Sequence, residues 1–201
     1  MVKNKIGVAL IGSGRAGMIH AHNFRGSVPG AVIAAVCDPV VEAAKAAAEE
    51  LELDNYYTDY KDVLALDNID AVIVATPTKY HCEIVCAAAK AGKHILCEKP
   101  MAMSVEECDI MDKTAKENGV TLQIAFMRRF DASFAAAKEM VDAGEIGDVV
   151  MVRSNTRGPS IPKPWMYDIS KSNGPLAEVC SHDIDSLRWF TGADFKTVYA
   201  I

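Results

Sequence analysis

The sequence lacks any long hydrophobic run and has few basic residues relative to acidic ones. No stretch of about 18 apolar residues occurs, so we expect no membrane-spanning segment. The 21 Lys and Arg against 27 Asp and Glu give a formal net charge of −6, which argues against nucleic acid or an anionic membrane as a partner. The charged start, Met1–Lys5, is followed by an apolar run that Gly12 and Gly14 interrupt, with no cleavage site, which argues against a signal peptide.

Cysteine is present six times, but nothing in the pattern requires disulfides. A chain of 201 residues can bury an apolar core without cross-links. Cys37 and Cys97 end apolar runs, so we interpret the cysteines as reduced, mostly buried thiols of a cytoplasmic protein. Cys82 and Cys86 share a predicted helix face, but no second Cys or His pair at ligand spacing accompanies them. We therefore predict no metal site.

Apolar runs and helical segments alternate through the first part of the chain. The apolar runs predict strands at Ile6–Ile11, Ala31–Cys37, Asp70–Ala75, Lys93–Cys97 and Val120–Phe126. The segments between them predict helices at Arg15–Ser27, Val41–Leu53, Tyr80–Ala91 and Val105–Asn118. Continuous apolar strands separated by helices are typical of a parallel sheet covered on both faces. Right-handed crossovers then give a doubly wound α/β fold.

The pattern changes after Phe126, and we predict one domain over 1–127 and a second over 128–201. The second part predicts helices at Asp131–Ala143 and Pro175–Phe190, a loop at Gly158–Gly174, and strands at Asp148–Thr156 and Phe195–Ile201. Two strands rarely form a stable sheet alone. We therefore expect only the start of an α+β substrate domain, either because the chain is a fragment or because another chain supplies the missing strands.

A glycine-rich loop lies between the first predicted strand and helix. Gly12-Ser13-Gly14-Arg15-Ala16-Gly17 matches the dinucleotide fingerprint of the Rossmann fold. Gly12 permits a tight turn, Gly14 lets the backbone approach a pyrophosphate at the helix N-terminus, and Gly17 lets the helix pack closely on the strand. The alternative is a glycine turn without a ligand, which the strand-turn-helix context makes the weaker interpretation.

Asp38 directly follows the second predicted strand, about 20 residues after the loop, where a carboxylate can bond the ribose hydroxyls of a dinucleotide. A carboxylate repels a 2′-phosphate, and no Arg or Lys follows directly, so the sequence favours NAD over NADP. Asp38 could instead cap the following helix, a role that is compatible with ribose contact.

Two further strand ends carry polar residues. Thr76 and Pro77 would lie near the nicotinamide end of the cofactor, whereas His81 either caps or packs locally or touches the cofactor. Glu98-Lys99-Pro100 follows the next strand, where the Lys99 ammonium can polarise a carbonyl or hold a substrate hydroxyl. A solvated Glu-Lys pair at a turn is the alternative.

The predicted helix Pro175–Phe190 has two distinct faces. One apolar stripe comprises Leu176, Val179, Cys180, Leu187 and Phe190, and the opposite stripe comprises Glu178, His182, Asp185 and Trp189. Carboxylates one turn away can orient a histidine and raise its basicity. Such a histidine suits removal of a hydroxyl proton during hydride transfer. An ordinary solvated helix face is the alternative.

The order of these motifs resembles the glucose–fructose oxidoreductase and inositol dehydrogenase family, Gfo/Idh/MocA. The motifs are the glycine loop, Ala75-Thr76-Pro77 with His81, Ala91-Gly92-Lys93-His94, Glu98-Lys99-Pro100, Phe126-Met127-Arg128-Arg129-Phe130, Gly144-Glu145-Ile146-Gly147 and His182-Asp183-Ile184-Asp185. The resemblance implies Lys99, Glu178 and His182 as the catalytic set and Arg128 and Asp185 as substrate contacts. Many members have Asp where Glu178 stands, and members carry a larger sheet in the second domain.

These inferences combine into one cofactor site and one leading function. The cofactor site comprises Gly12, Ser13, Gly14, Arg15, Ala16, Gly17, Asp38, Thr76, Pro77, His81, Glu98 and Lys99. The function is NAD-dependent oxidation of a secondary alcohol on a small polar substrate, a polyol, sugar or inositol-like cyclitol. The alternatives are an NAD-retaining lyase or glycosidase and a non-catalytic NAD-binding module or truncated relic. We expect a homo-oligomer for the full-length protein.

Overall fold

The computed structural model describes residues 5–156 and 167–199, and the chain divides into two compact units, Met1–Ala125 and Phe126–Ile201. The first unit contains a five-stranded parallel sheet in the order β2-β1-β3-β4-β5. Its strands are β1 Ile6–Ile11, β2 Ala31–Cys37, β3 Ala71–Val74, β4 His94–Cys97 and β5 Leu122–Ile124. Its helices are α1 Arg15–Ser27, α2 Val41–Glu50, α3 Tyr60–Leu64, α4 His81–Lys90 and α5 Val105–Glu117.

Alternate residues of the strands pack into two separate apolar cores. Val8 and Leu10 of β1 belong to a core with Ala47 and other residues of α1 and α2. Ala9 and Ile11 belong to the other core, together with residues of α3, α4 and α5. Helices therefore cover both faces of the sheet, which confirms the predicted doubly wound α/β fold.

The strands end level with one another at their carboxyl ends. Cross-strand pairs join Ile11 to both Cys37 and Val74, Val74 to Cys97, and Cys97 to Ile124. The segments that follow these strands consequently emerge at one edge of the sheet. β1 lies between β2 and β3, so the connection from β1 to β2 and the connection from β2 to β3 run in opposite directions across the sheet. In parallel sheets such a reversal leaves a crevice at the carboxyl ends of the strands.

Several bounds in the first unit differ from the sequence prediction. Strand β5 covers Leu122–Ile124 rather than Val120–Phe126, and β3, β4, α4 and α5 are each one or two residues shorter than predicted. Helix α2 ends at Glu50 rather than Leu53, because Glu52 adopts a left-handed backbone with φ 55°. Helix α3 was not predicted, since five residues are too few to display a helical period. Asp59 caps α3 by accepting a hydrogen bond of 2.9 Å from the Lys61 amide.

The second unit contains two helices among its described residues, α6 Ala132–Asp142 and α7 Gly174–Thr191. The Asp131 carboxylate caps α6, accepting from the amides of Ser133 and Phe134 at 2.9 and 3.2 Å. Gly192, at φ 65°, ends α7. A short 3₁₀ turn, Met127–Phe130, precedes α6.

The two strands predicted for the second unit are wrong over the residues that can be compared. Neither 148–156 nor 195–199 pairs with another segment of the described chain. Alternating apolar residues favour extended backbone, but a strand also needs a hydrogen-bonded neighbour, and no described residues supply one. The last two residues of the second predicted strand, 200–201, and residues 158–166 of the predicted loop lie outside the described residues.

Across the described parts of the chain, none of the helices combines the length and apolar character needed to cross a bilayer.

Candidate active site

The glycine loop follows β1 and leads directly into α1. Gly12 has φ +97°, and a Cβ there would lie 2.6 Å from the carbonyl oxygen of Ala75. A Cβ at Gly17 would lie 2.0 Å from the carbonyl oxygen of Gly12. Both positions therefore require glycine, the first for its backbone conformation and the second for close contact between loop and helix.

Gly14 differs from Gly12 and Gly17 because its Cα faces open space and not other atoms of the described chain. A Cβ at Gly14 would meet no atom within 4 Å among the described residues. Gly14 is the N-cap of α1; no side chain of the described chain caps this terminus, and the first turn holds no acidic residue. Gly14, Arg15 and Ala16 are also exposed. An uncapped helix start with an open glycine fits an approaching phosphate group.

Asp38 ties the glycine loop to the end of β2. Its Oδ2 accepts hydrogen bonds from the Ser13 amide at 2.9 Å and from the Ser13 hydroxyl at 3.0 Å. Its Oδ1 accepts from the Val40 amide at 3.0 Å, just before α2. The carboxylate therefore has local structural partners on both oxygens, and its contact with a ribose stays a prediction.

Thr76 and Pro77 follow β3 at the same edge of the sheet. The Thr76 hydroxyl oxygen is buried and has no hydrogen-bond partner among the described residues. Buried hydroxyls are nearly always paired, so an orphaned one beside a crevice suits a ligand that supplies the partner. This hydroxyl and the open glycine loop both fit a dinucleotide at this edge.

His81, on the first turn of α4, is 1% exposed. Its Nε2 lies 2.9 Å from the Thr76 carbonyl oxygen and its Nδ1 lies 2.9 Å from the Pro100 carbonyl oxygen. Of the two sequence interpretations, local packing agrees with these contacts. A cofactor contact of His81 stays a prediction, and it would have to involve ring carbons.

Glu98 connects α1 to the turn after β4. His20 Nε2 lies 2.7 Å from Glu98 Oε1, and the Lys99 backbone amide donates to Glu98 Oε2 at 3.1 Å. Burial raises the pKa of Glu98, but the hydrogen bond and charge of His20, with the Lys99 amide, bring it below its ordinary value. The turn that carries Lys99 is therefore not a simple solvated pair. His20 was not predicted, although it lies three residues after Gly17 on the glycine-loop helix.

Helix α7 of the second unit carries Glu178, His182 and Asp185 at helical spacing on one face. Glu178 and Asp185 are 7% and 8% exposed, whereas Leu176 is 69% exposed. The alternative of an ordinary solvated helix face is therefore wrong. The predicted apolar stripe is also wrong at Leu176, since this side chain is exposed. The His182 ring meets the Phe126 ring edge-on, with centroids 6.5 Å apart.

Asp185 is held by an arginine that sequence reasoning did not single out. Arg129 Nε donates to Asp185 Oδ2 at 2.9 Å, and Arg129 Nη2 donates to Asp185 Oδ1 at 2.7 Å. This hydrogen bonding to Asp185 raises the pKa of Arg129. The guanidinium also lies 5.6 Å from the centre of the Trp189 ring.

Arg128 makes a parallel pair with Asp183. Arg128 Nη1 donates to Asp183 Oδ1 at 2.7 Å, and Arg128 Nη2 donates to the Thr156 hydroxyl at 2.9 Å. The Ser154 and Thr156 hydroxyls also donate to Asp183. Burial raises the pKa of Asp183, but these hydrogen bonds, led by Arg128, hold it below its ordinary value. Substrate contact by Arg128 and Asp185 stays a prediction, since both side chains already hold protein partners.

The cysteines and acidic residues form no evident metal centre. Within residues 5–156 and 167–199, no three His, Cys, Asp or Glu side chains are grouped as metal ligands. All six cysteines are free; Cys37 and Cys97 are buried, and the other four are half-buried. Burial raises the pKa of the Cys37 thiol to about 12, as expected of an inert core thiol.

The family follows from a match along nearly the whole described chain. Residues 6–126 match the model of the Gfo/Idh/MocA oxidoreductase family, NAD-binding Rossmann fold, and residues 134–201 match that of the Gfo/Idh/MocA C-terminal domain. The chain belongs to the Gfo/Idh/MocA family. This confirms the resemblance carried by the glycine loop and the Glu98-Lys99-Pro100 motif.

Among its Gfo/Idh/MocA relatives, the scyllo-inositol 2-dehydrogenase (NAD(+)) of Bacillus subtilis is 39% identical over 98% of this chain. The myo-inositol 2-dehydrogenase of Thermotoga maritima is 35% identical over 96% of it. The chain spans 57% of the length of each relative. A crystal structure of scyllo-inositol dehydrogenase from Lactobacillus casei, with bound NAD(H) and scyllo-inositol, is similar at a TM-score of 0.83. It is 33% identical, and the match covers 94% of this chain and 56% of that one.

The Gfo/Idh/MocA match spans both units that carry the predicted catalytic residues. The first unit carries Lys99 on the turn after β4, and the second carries Glu178 and His182 on α7. Chemically, the set combines an ammonium that can stabilise negative charge on oxygen with an imidazole that can accept a proton.

Proposed function

We propose that the protein is an NAD-dependent dehydrogenase that oxidises a secondary alcohol of a cyclitol, with other polyols and sugars as related substrates. The observation that carries the proposal is the strand-end edge of the first unit. There Asp38, the open glycine loop and the Lys99 turn follow β2, β1 and β4 of the same parallel sheet, with β3 between β1 and β4. The inositol dehydrogenases among the relatives support the substrate class.

The proposed cofactor site uses three features of this edge. The amides at the start of α1 face a pyrophosphate, and the absence of a side chain at Gly14 lets it approach. Asp38 accepts hydrogen bonds from the adenosine ribose, and the Thr76 hydroxyl supplies a polar contact near the nicotinamide. Bound NAD supplies the hydride acceptor.

The proposed reaction removes a proton and a hydride from the substrate alcohol. His182 accepts the proton of the hydroxyl group while the hydride leaves the carbon that bears this hydroxyl. Lys99 donates a hydrogen bond to the substrate oxygen and stabilises its negative charge as the carbonyl forms. Glu178, one helical turn before His182, orients the imidazole and stabilises its protonated form.

Substrate recognition is proposed for Arg128 and Asp185. Each is fixed by an ion pair, Arg128 with Asp183 and Asp185 with Arg129. Oriented charged groups of this kind suit a small molecule that carries several hydroxyls, because each hydroxyl both donates and accepts.

Location and assembly belong to the same proposal. Six free cysteines favour a reducing compartment, and we propose the cytoplasm. Exposed apolar side chains of the second unit, such as Val150 at 95% and Met151 at 84% exposure, favour association, and we propose a homo-oligomer.

The test is NADH production by the protein as its gene encodes it. Scyllo-inositol, myo-inositol, open-chain polyols, aldoses and sugar acids are each incubated with NAD, and NADH absorbance and the ketone product are measured. We expect turnover with at least one cyclitol and its loss in Lys99→Met. NAD binding without NADH from any substrate would contradict the proposal and favour a binding module. Cleavage of a glycoside with NAD retained would favour the lyase or glycosidase alternative.

A further inference from the structure

Two histidines that the proposed reaction does not use contact the turn that carries Lys99. We propose that His20 is a positioning residue for Lys99 and acts through Glu98, so that the helix of the glycine loop also sets the place of the lysine. The inference rests on the proposed function only in calling Lys99 catalytic. The contacts themselves lie entirely within the first unit.

The Glu98 carboxylate bridges helix α1 and the lysine turn with its two oxygens. Oε1 lies 2.7 Å from His20 Nε2, and Oε2 accepts from the Lys99 amide at 3.1 Å. The Glu98 backbone amide in turn donates to the Val74 carbonyl at 2.9 Å, which fixes the start of the turn to β3. A rotation of the carboxylate away from His20 would therefore break its bond to the Lys99 backbone as well.

The environment makes this bridge stronger than an exposed pair. The His20 and Glu98 side chains are only 20% and 18% exposed, so water competes weakly for their hydrogen bonds. The lowered pKa of Glu98 keeps the carboxylate ionised at neutral pH, so both of its oxygens can accept hydrogen bonds.

His81 fixes the other side of the same turn. Its two ring nitrogens each lie 2.9 Å from a carbonyl oxygen, that of Pro100 and that of Thr76, so the buried ring packs between the residue after Lys99 and the end of β3. Lys99 thus lies between two neighbours that contact helices, Glu98 through His20 of α1 and Pro100 through His81 of α4. Only the Glu98 contact involves α1, the helix that would hold the cofactor phosphates. His20 is therefore the residue whose substitution tests the inference.

Helix α1 also provides a matched control. His22, two residues further on, makes a contact of the same kind, with its Nε2 2.6 Å from Glu50 Oε1. That pair is about half exposed and its partner is on α2, away from the lysine turn. His22→Ala therefore removes a histidine–glutamate contact from α1 without touching Glu98.

The first arm measures amide hydrogen exchange of Lys99 by NMR in the full chain. Loss of the His20 contact frees Glu98 to rotate, so His20→Ala should speed exchange at Lys99 about tenfold. His20→Gln, whose amide nitrogen can replace Nε2, should restore most of the protection, and His22→Ala should change nothing at Lys99. Unchanged exchange at Lys99 in His20→Ala, or equal effects of His20→Ala and His22→Ala, would overturn the inference.

The second arm measures turnover with NAD and the substrate identified above. His20→Ala should lower kcat about tenfold with NAD affinity nearly unchanged, and His20→Gln should recover it. In a Lys99→Met background, His20→Ala should have no further effect, because its route to the reaction is gone. A collapse of NAD affinity with kcat intact would overturn the inference. Absence of NADH in the wild type would sink the proposed function alone, since the exchange arm still decides whether His20 positions Lys99.

Discussion

The two units of the chain differ in the apolar side chains that they bury. Every fully covered apolar side chain among the described residues lies in the first unit, between Val8 and Ala125. In the described part of the second unit the buried residues are polar: Ser172, Glu178, Asp185 and Ser186. Five large apolar side chains of the second unit are at least 62% exposed: Ile146, Val150, Met151, Val198 and Tyr199.

The first unit is therefore built around apolar cores, whereas the second unit is arranged around ion pairs. The sheet of the first unit buries both faces, the usual source of domain stability. The second unit orients α7 with Arg128–Asp183 and Arg129–Asp185, contacts that specify geometry but contribute little net stability. Covering its exposed apolar side chains would stabilise it by about 25 cal/mol per Å².

The largest expected effect is a contrast in hydrogen exchange within the 201-residue chain. Amides of β1 and β3 should open only with global unfolding, whereas amides of 148–156 should open locally, because no described strand pairs with them. We expect at least about 10³-fold slower exchange in the strands. The measurement is exchange followed by mass spectrometry. Uniformly slow exchange in a monomer would show that the second unit is as stable as the first.

The next largest effect concerns the catalytic role of the polar face of α7. His182→Ala should lower turnover by about 10²–10⁴-fold while NAD affinity, which depends on the first unit, stays nearly unchanged. His22→Ala is the control, since it removes an exposed histidine from the first unit. Steady-state kinetics and NAD titration calorimetry measure the two quantities. Lost NAD affinity with persisting turnover at saturation would place the catalytic base elsewhere.

The same division explains what the sequence could predict. The bounds of β1, α1 and β2 agree with the prediction residue for residue, because buried parallel strands are continuous apolar runs and the glycine loop marks the junction. The strand predicted at 148–156 was wrong, because the alternation of apolar and polar residues is a local signal, whereas strand pairing depends on a partner strand. Local pattern suffices where a unit supplies its own core.

The site shows the same limit. The glycine loop, Asp38 and Lys99 could be found because each has a motif at a strand end. The contacts of His20 and Asp183 could not be predicted, since His20 meets Glu98, 78 positions away, and Asp183 pairs with Arg128, 55 positions earlier. Contacts between distant residues have no spacing rule, and only the fold reveals them.

A smaller effect concerns cofactor choice in the first unit. Asp38 should make NAD bind more tightly than NADP by about 1–3 kcal/mol, the scale of placing a phosphate against an unpaired charge. Asp38→Ser should shrink that difference while keeping a side chain that can accept from the Ser13 amide. Calorimetric titration with both cofactors measures the difference, and Asp59→Ser, which replaces the carboxylate that caps α3, is the control. Equal or tighter NADP binding by the wild type would refute the assignment of Asp38.

The smallest effect is the acid sensitivity of the second unit. The pKa of Asp183 is lowered on folding, so its ion pair with Arg128 stabilises the unit fully above the unfolded pKa, about 4. That stabilisation is lost as the pH falls through the lower, folded pKa. Asp183→Asn should therefore reduce the free energy of unfolding by about 1 kcal/mol or less at neutral pH, and the difference should vanish in acid. Urea unfolding followed by tryptophan fluorescence suits this measurement, because Trp189 lies on α7 and the sequence has no tryptophan before residue 165. Asp148→Asn, at an exposed position of the same unit, should show no such pH dependence. A difference between wild type and Asp183→Asn that persists unchanged in acid would mean that the carboxylate charge does not hold α7 to Arg128.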